Sequence, residues 1–269
     1  MNSKQEQLAA FGRLLDIMDE LREKCPWDQK QTFETLHHLT IEETYELGDA
    51  ILNNDLQEIK KELGDLLLHI VFYAKIGSEK KAFDIGDVSN QIAEKLIYRH
   101  PHIYGDVNVE SAEEVKQNWE ALKLKEGKKS VLEGVPKGLP ALVKAQRIQE
   151  KATGVGFDWK KSGDVLEKFK EELEELHQEI ESGGTSKRIE EEFGDVFFSL
   201  INYARYVGVN PESALERTNK KFIERFQYIE KQAKAEKRSI ETLSLEEMEI
   251  YWQQAKVLYS SSEGATSES

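Results

Sequence analysis

The sequence predicts an all-α fold built as two tandem helical modules, and three observations carry that expectation. Apolar residues recur at three- and four-residue spacing along ten segments, prolines are few, and the second half repeats the first at an offset close to 130 residues. The segments are 4–23, 32–53, 55–77, 84–99 and 111–123 in the first half, and 139–153, 164–181, 185–208, 210–236 and 244–258 in the second. Pro26, Pro101, Pro136 and Pro140 lie in turn-like stretches, so the segments between them are free to be helical. Asn210 before Pro211 reads as an N-cap with proline at the first helical position, where its missing N–H costs nothing. Ser111-x-x-Glu114 and Ser244-x-x-Glu247 read as capping boxes. No alternating strand pattern competes with these helices.

The repeat is legible residue by residue. Ile-Glu-Glu-Thr-Tyr-Glu-Leu at 41–47 aligns with Lys-Glu-Glu-Leu-Glu-Glu-Leu at 170–176 (170 − 41 = 129). Glu62-Leu-Gly-Asp65 aligns with Glu192-Phe-Gly-Asp195 (192 − 62 = 130), and the match runs on to Tyr73-Ala74 against Tyr203-Ala204. Lys95 and Arg99 fall on Lys221 and Arg225, and Trp119 and Lys123 fall on Trp252 and Lys256. These matches delimit a first module over 1–123, a Gly- and Pro-containing linker over 124–140 and a second module over 141–258. The Ser- and Glu-rich end, 259–269, has little to bury and is expected to be disordered.

Composition narrows the function. The 37 Lys and Arg stand against 51 Asp and Glu, a net charge of −14 that repels a nucleic-acid polymer. No apolar run approaches the roughly 20 residues of a membrane span. A polar start with no apolar signal core, and a single cysteine, Cys25, point to a reducing, cytoplasmic setting without a membrane partner. A small phosphate compound remains compatible with the acidity, because bound metal ions reverse the local field.

Each half holds two i, i+3 acidic pairs on successive expected helices: Glu43 and Glu46 with Glu62 and Asp65, then Glu172 and Glu175 with Glu192 and Asp195. Residues three apart share a helix face, so an antiparallel hairpin brings four carboxylates toward one point. Glu62 and Glu192 interrupt apolar lines, which sets them inward. Like charges about 4 Å apart cost on the order of 4 kcal/mol per pair at an effective dielectric near 20. A hard divalent cation offsets several such terms at once, and Mg²⁺ is the natural one where phosphates and waters complete an octahedron, with Mn²⁺ as a substitute. Lys95, Arg99, Lys221, Arg225 and Lys256 supply charge for phosphate oxygens that the metal leaves uncovered.

The bland readings are set beside these. An isolated acidic i, i+3 pair is ordinarily solvated surface, and Thr40 with Glu43 also spells a capping box. The position matching Thr40 is Phe169, which cannot cap, so the repeat favours a shared site. Trp119 and Trp252 suit either a core or a stacking role, with Lys123 and Lys256 one turn on. Glu34-x-x-His37 and Glu174-x-x-His177 match an element of di-iron bundles, but neither histidine recurs in the other half.

Taken together, the quartets resemble the signature of the all-α nucleoside triphosphate pyrophosphatases. Cys25-Pro-Trp-Asp28, Arg99-His-Pro-His102, Gly134-Val-Pro136 with Leu139-Pro-Ala141, Gly156-Phe-Asp-Trp159 and Lys221-Phe-Ile-Glu-Arg225 are similar to the two-module MazG branch. The resemblance spans about 8 to 258 and implies MazG-like helical bundles that dimerise through helices, with sites where subunits meet. It also implies hydrolysis of a nucleoside triphosphate to monophosphate and pyrophosphate. In that chemistry the quartets hold Mg²⁺, Lys221, Arg225 and Lys256 stabilise phosphate charge, and Trp252 lies beside the base. Asp28 and Asp158 recur without an assigned role. The helix after Arg99 is broken by His100-Pro101-His102, whereas its counterpart runs on to about Glu236. This contrast predicts that the second half carries most of the hydrolysis. A nucleotide-binding regulator or a scaffold without turnover is the competing reading.

Overall fold

A computed structural model describes residues 1–109, 111, 114, 115, 118, 119, 122 and 130–263, with Ser162 and 259–263 described along the backbone alone. The described residues are helical with no strand. The chain divides into two compact units, Met1–Glu126 and Gly127–Ser269.

In the first unit α1 spans Lys4–Lys24, α2 Phe33–Leu52, α3 Leu56–Glu79, α4 Ile85–Arg99 and the short α5 Pro101–Tyr104. A 3₁₀ turn at Asp28–Lys30 joins α1 to α2. Reciprocal capping boxes open α1 (Ser3 with Glu6) and α2 (Thr32 with Thr35), each satisfying backbone N–H groups that have no partner inside the helix. Thr40 therefore lies inside α2 and caps nothing; its hydroxyl donates to the Leu36 carbonyl and contacts His69 Nδ1 at 2.9 Å and Tyr73 Oη at 2.6 Å. The three-residue turn between α2 and α3 folds them back as neighbours. The core joins Met18 of α1, Leu36 of α2 and Val71, Phe72 and Ile76 of α3.

In the second unit α6 spans Ala141–Thr153, α7 Ser162–Glu181, α8 Ser186–Tyr206, α9 Pro211–Ala235 and α10 Leu245–Glu263. The turn between α7 and α8 needs a left-handed residue, which Gly183 supplies at φ 72°; Asn54 does the same at φ 53° between α2 and α3. In both turns the next N–H reaches back to close the preceding helix, Asp55 to Ala50 and Gly184 to Glu179. The duplicated hairpin thus keeps its geometry while its turn residues differ. Helices α9 and α10 pack around Ile229, Ala233 and Leu243, with Trp252 half-buried against them.

Asn210 caps α9 by accepting from the Ser213 N–H at 2.8 Å, and Ser244 and Glu247 form the expected box at the start of α10. Helix α10 continues to Glu263, into the stretch read as a disordered tail, because no breaker precedes Gly264. Of the helix expected over 111–123, the described residues Glu114, Val115, Asn118, Trp119 and Leu122 are helical, and Lys123 lies outside the described residues. Helix α4 does stop at His100, whose φ of −120° and ψ of 58° leave the helical region.

Candidate functional site

The hairpins decide which carboxylates meet. Helix α2 carries Glu43 and Glu46, and α3 carries Glu62 and Asp65; ligand oxygens of Glu43, Glu62 and Asp65 all lie within 4.8 Å of one another. In the second unit α7 and α8 bring Glu172, Glu192 and Asp195 within the same limit. Three of each expected four are therefore gathered, while Glu46 and Glu175 are exposed one turn along the helix.

The electrostatics of these clusters show groups in need of a counter-charge. Burial, and then the carboxylates of Asp65, Glu46 and Glu62, raise the pKa of Glu43. Although Glu175 is exposed, partial loss of hydration and then the neighbouring Glu172 carboxylate raise its pKa. Glu62 is only 1% exposed, and its Oε2 has no hydrogen-bond partner among the described residues. Its other oxygen accepts from Lys61 Nζ at 2.8 Å, which holds this carboxyl below the ordinary range. In the second unit Lys168 pairs at 2.8 Å with Glu172, the carboxylate that matches Glu43 rather than Glu62. An oxygen-only donor set with a buried carboxylate oxygen left unpaired fits a hard divalent cation.

The basic and aromatic residues form a separate constellation. On the α9–α10 hairpin the Arg225 guanidinium lies 5.5 Å from the Trp252 ring centroid, and Phe222 packs 5.1 Å from the same ring. The Nε of Arg225 is buried without a partner among the described residues. Lys221 and Lys256 are half-buried on the same hairpin. In the first unit Arg99 stacks 5.5 Å from Trp119, whose edge meets His100 at 5.0 Å, while Lys95 is exposed. The paired spacing Arg99/Trp119 and Arg225/Trp252 is thus a real contact in both units. Among the described residues neither Glu-x-x-His element joins a group able to hold a metal ion, and His177 pairs with Glu181 at 3.3 Å on the surface of α7.

The site residues that sequence reasoning missed line a cavity of about 760 Å³ beside the second cluster. Its walls include Ile148, Phe157, Trp159, Val165 and Phe198, and both Glu172 and Asp195 reach it. Gly156, at φ 88°, turns the chain so that Phe157, Asp158 and Trp159 reach the cavity. Asp158 now has a role: it accepts from Arg205 Nη1 at 3.1 Å and Nη2 at 2.6 Å, which lowers its pKa against the opposing effect of burial. Arg205 in turn donates to Asn202 Oδ1 from Nε at 3.1 Å and Nη2 at 2.9 Å. Val131 and Leu132, in the stretch read as linker, form part of the wall, and the nearly buried Lys151 donates to the carbonyls of Val131 and Glu133. The signal that was available for Asn202 is a polar residue where the repeat has Phe72 (72 + 130 = 202).

Comparison with known proteins agrees with this duplicated architecture. The family model for the MazG nucleotide pyrophosphohydrolase domain matches twice, over residues 31–104 and 162–229. The chain is 42% identical over 254 residues to a nucleoside triphosphate pyrophosphohydrolase of Escherichia coli K12, covering 91% of this chain and 97% of that protein. It is 44% identical over 251 residues to the nucleoside triphosphate pyrophosphohydrolase/pyrophosphatase MazG of Thermotoga maritima, covering 91% and 95%. A Bacillus subtilis protein, the uncharacterized YabN, is 43% identical over 94% of this chain and 53% of its own length. With both copies of the domain matched, each laid over one acidic helical hairpin, the chain belongs to the MazG nucleotide pyrophosphohydrolase family.

Proposed function

We propose that this protein hydrolyses nucleoside triphosphates, canonical or modified, to nucleoside monophosphate and pyrophosphate with Mg²⁺, and that it works as a cytoplasmic homodimer. The observation that carries the reading is the carboxylate cluster Glu172, Glu192 and Asp195, with Glu175 beside it, opening onto a cavity of nucleotide size. When bound there, the cation supplies Lewis-acid charge to phosphate oxygens and makes water more acidic. The carboxylates fix its position, and Lys221, Arg225 and Lys256 balance charge that grows on the phosphates as the α–β bond breaks. Matched apolar residues left exposed on α3 (Leu63, Leu67, Ile70) and α8 (Phe193, Phe197, Leu200) support a second copy as the partner that completes the site.

The reaction is tested by incubating the full chain with ATP and Mg²⁺ and separating the products. Pyrophosphate and AMP are expected, with activity lost in excess chelator and restored by Mg²⁺ or Mn²⁺. Release of ADP and orthophosphate would place attack at the γ-phosphorus and overturn the reading. The first unit, with Glu43, Glu46, Glu62 and Asp65, is assigned a weaker, selective or regulatory role. The observation favouring this is its packed core at Met18, Leu36 and Phe72, which repeat-match the cavity residues Ile148, Val165 and Asn202.

A further inference from the structure

We propose that Lys151 is a positioning residue, a latch that holds the segment 130–139 against α6 as a movable wall of the cavity; this rests on the triphosphate hydrolysis proposed above. Lys151 is 3% exposed, and no part of the proposed chemistry uses it. A buried ammonium is costly unless other oxygen atoms replace its water. Its Nζ donates to the Val131 carbonyl at 3.2 Å and to the Glu133 carbonyl at 3.4 Å. Both carbonyls belong to a run of turns that precedes α6, and from that run Val131 and Leu132 line the cavity. The buried charge is thus spent on the backbone of a cavity wall.

A second lysine of the same helix ties the other end. Lys144 Nζ donates to the Lys137 carbonyl at 2.7 Å. Lys144 and Lys151 are seven residues apart (151 − 144 = 7), which places them about two turns apart on one face of α6. Their carbonyl partners run the opposite way, so the strap lies antiparallel along the helix. Within it the Glu133 N–H reaches the Ser130 carbonyl at 3.0 Å and the Val135 N–H the Leu132 carbonyl at 3.2 Å. Those bonds shape the turns, whereas the lysines attach them to α6. A charged donor strengthens such a bond, yet each can be broken and remade singly, which suits a wall that parts for a ligand and closes on it. The first unit has leucines at the two matching positions, Leu14 packed on its core and Leu21 exposed (144 − 130 = 14, 151 − 130 = 21), which confines the latch to the second unit.

The test is amide hydrogen exchange of the full chain, with and without adenosine 5′-monophosphate and Mg²⁺. In the wild type the nucleotide should slow exchange over 131–136. Lys151→Met keeps the aliphatic stem and removes the ammonium; without nucleotide it should speed exchange over 131–136 about tenfold, the scale of a lost hydrogen bond to a charged group, and leave α8 at the wild-type rate. Lys151→Arg, which restores a cationic donor, should recover most of the protection. In steady-state hydrolysis of ATP, Lys151→Met should raise KM about tenfold with kcat unchanged, the mark of binding lost equally from substrate and transition state. Lys144→Met should speed exchange over 137–139, and it carries the same test at the other end of the strap if Lys151→Met does not fold. Unchanged exchange in both lysine variants, a rise shared equally by α8, no recovery in Lys151→Arg, or no nucleotide protection in the wild type would overturn the assignment. A chain that shows the protection yet releases no pyrophosphate from ATP would fail the proposed reaction alone.

Discussion

Glu62 and Glu192 occupy the same place in the repeat yet stand in different surroundings. Glu62 is 1% exposed and held by Lys61 at 2.8 Å, whereas the Glu192 side chain is 16% exposed with Arg188 at 4.0 Å. Glu192 belongs to the cluster that opens onto the cavity, so its removal takes a proposed cation ligand from beside the proposed substrate. Glu192→Ala is expected to lower kcat by at least roughly 100-fold, the scale of deleting one stabilising group from a preorganised site. Glu62→Ala should lower it far less. Steady-state hydrolysis by the two variants checks this; loss confined to Glu62→Ala would reverse the assignment of the working half, and equal partial losses would make both halves catalytic.

Among the elements, the start of α10 depends on one charged junction. Glu247 accepts from the Ser244 N–H at 2.8 Å and from Arg238 at 2.7 and 2.9 Å, and these partners, Arg238 first, hold its pKa at about 2 against an ordinary 4.5. A carboxyl with a depressed folded pKa contributes its stability above the unfolded value and loses it as pH falls through the folded one. The first turn of α10 is therefore expected to loosen between pH 4.5 and about 2. Amide exchange over residues 245–250 should rise in that window in the wild type, and Glu247→Gln should exchange faster at neutral pH with little further change on acidification. Tyr251, one turn on, donates to Glu236 at 2.5 Å, and Tyr251 and Trp252 both pack against the Ile229, Ala233 and Leu243 core. Loosening there is expected to carry over to Arg225, which stacks on the same indole.

At the scale of the whole molecule, the exposed apolar faces of α3 and α8 support the proposed assembly. Phe197 is 60% exposed and Leu67 37%, at matched repeat positions. The chain is expected to sediment as a dimer at micromolar concentration, and Phe197→Glu should shift it toward monomer with a loss of hydrolysis. A wild-type monomer would remove the assembly from the proposal. No helix among the described residues is long and apolar enough to cross a membrane.

Local spacing made the helices, the duplication and the carboxylate pairs legible in the sequence by itself. A period near 3.6 residues fixes which side chains share a face, and Ser244-x-x-Glu247 or Asn210-Pro211 specify their own ends. What only the tertiary structure decided depends on distant segments meeting. Packing of α2 on α3 and of α7 on α8 drew three carboxylates of each quartet together and left Glu46 and Glu175 outside. The meeting of α6, the 157–159 segment and α8 turned Asn202, Arg205 and Asp158 into one hydrogen-bonded chain. In the first unit the same backbone plan closes around Met18, Leu36 and Phe72. Whether a repeat position fills its core or lines a cavity depends on the volumes of side chains brought from separate helices, and no local pattern encodes that sum.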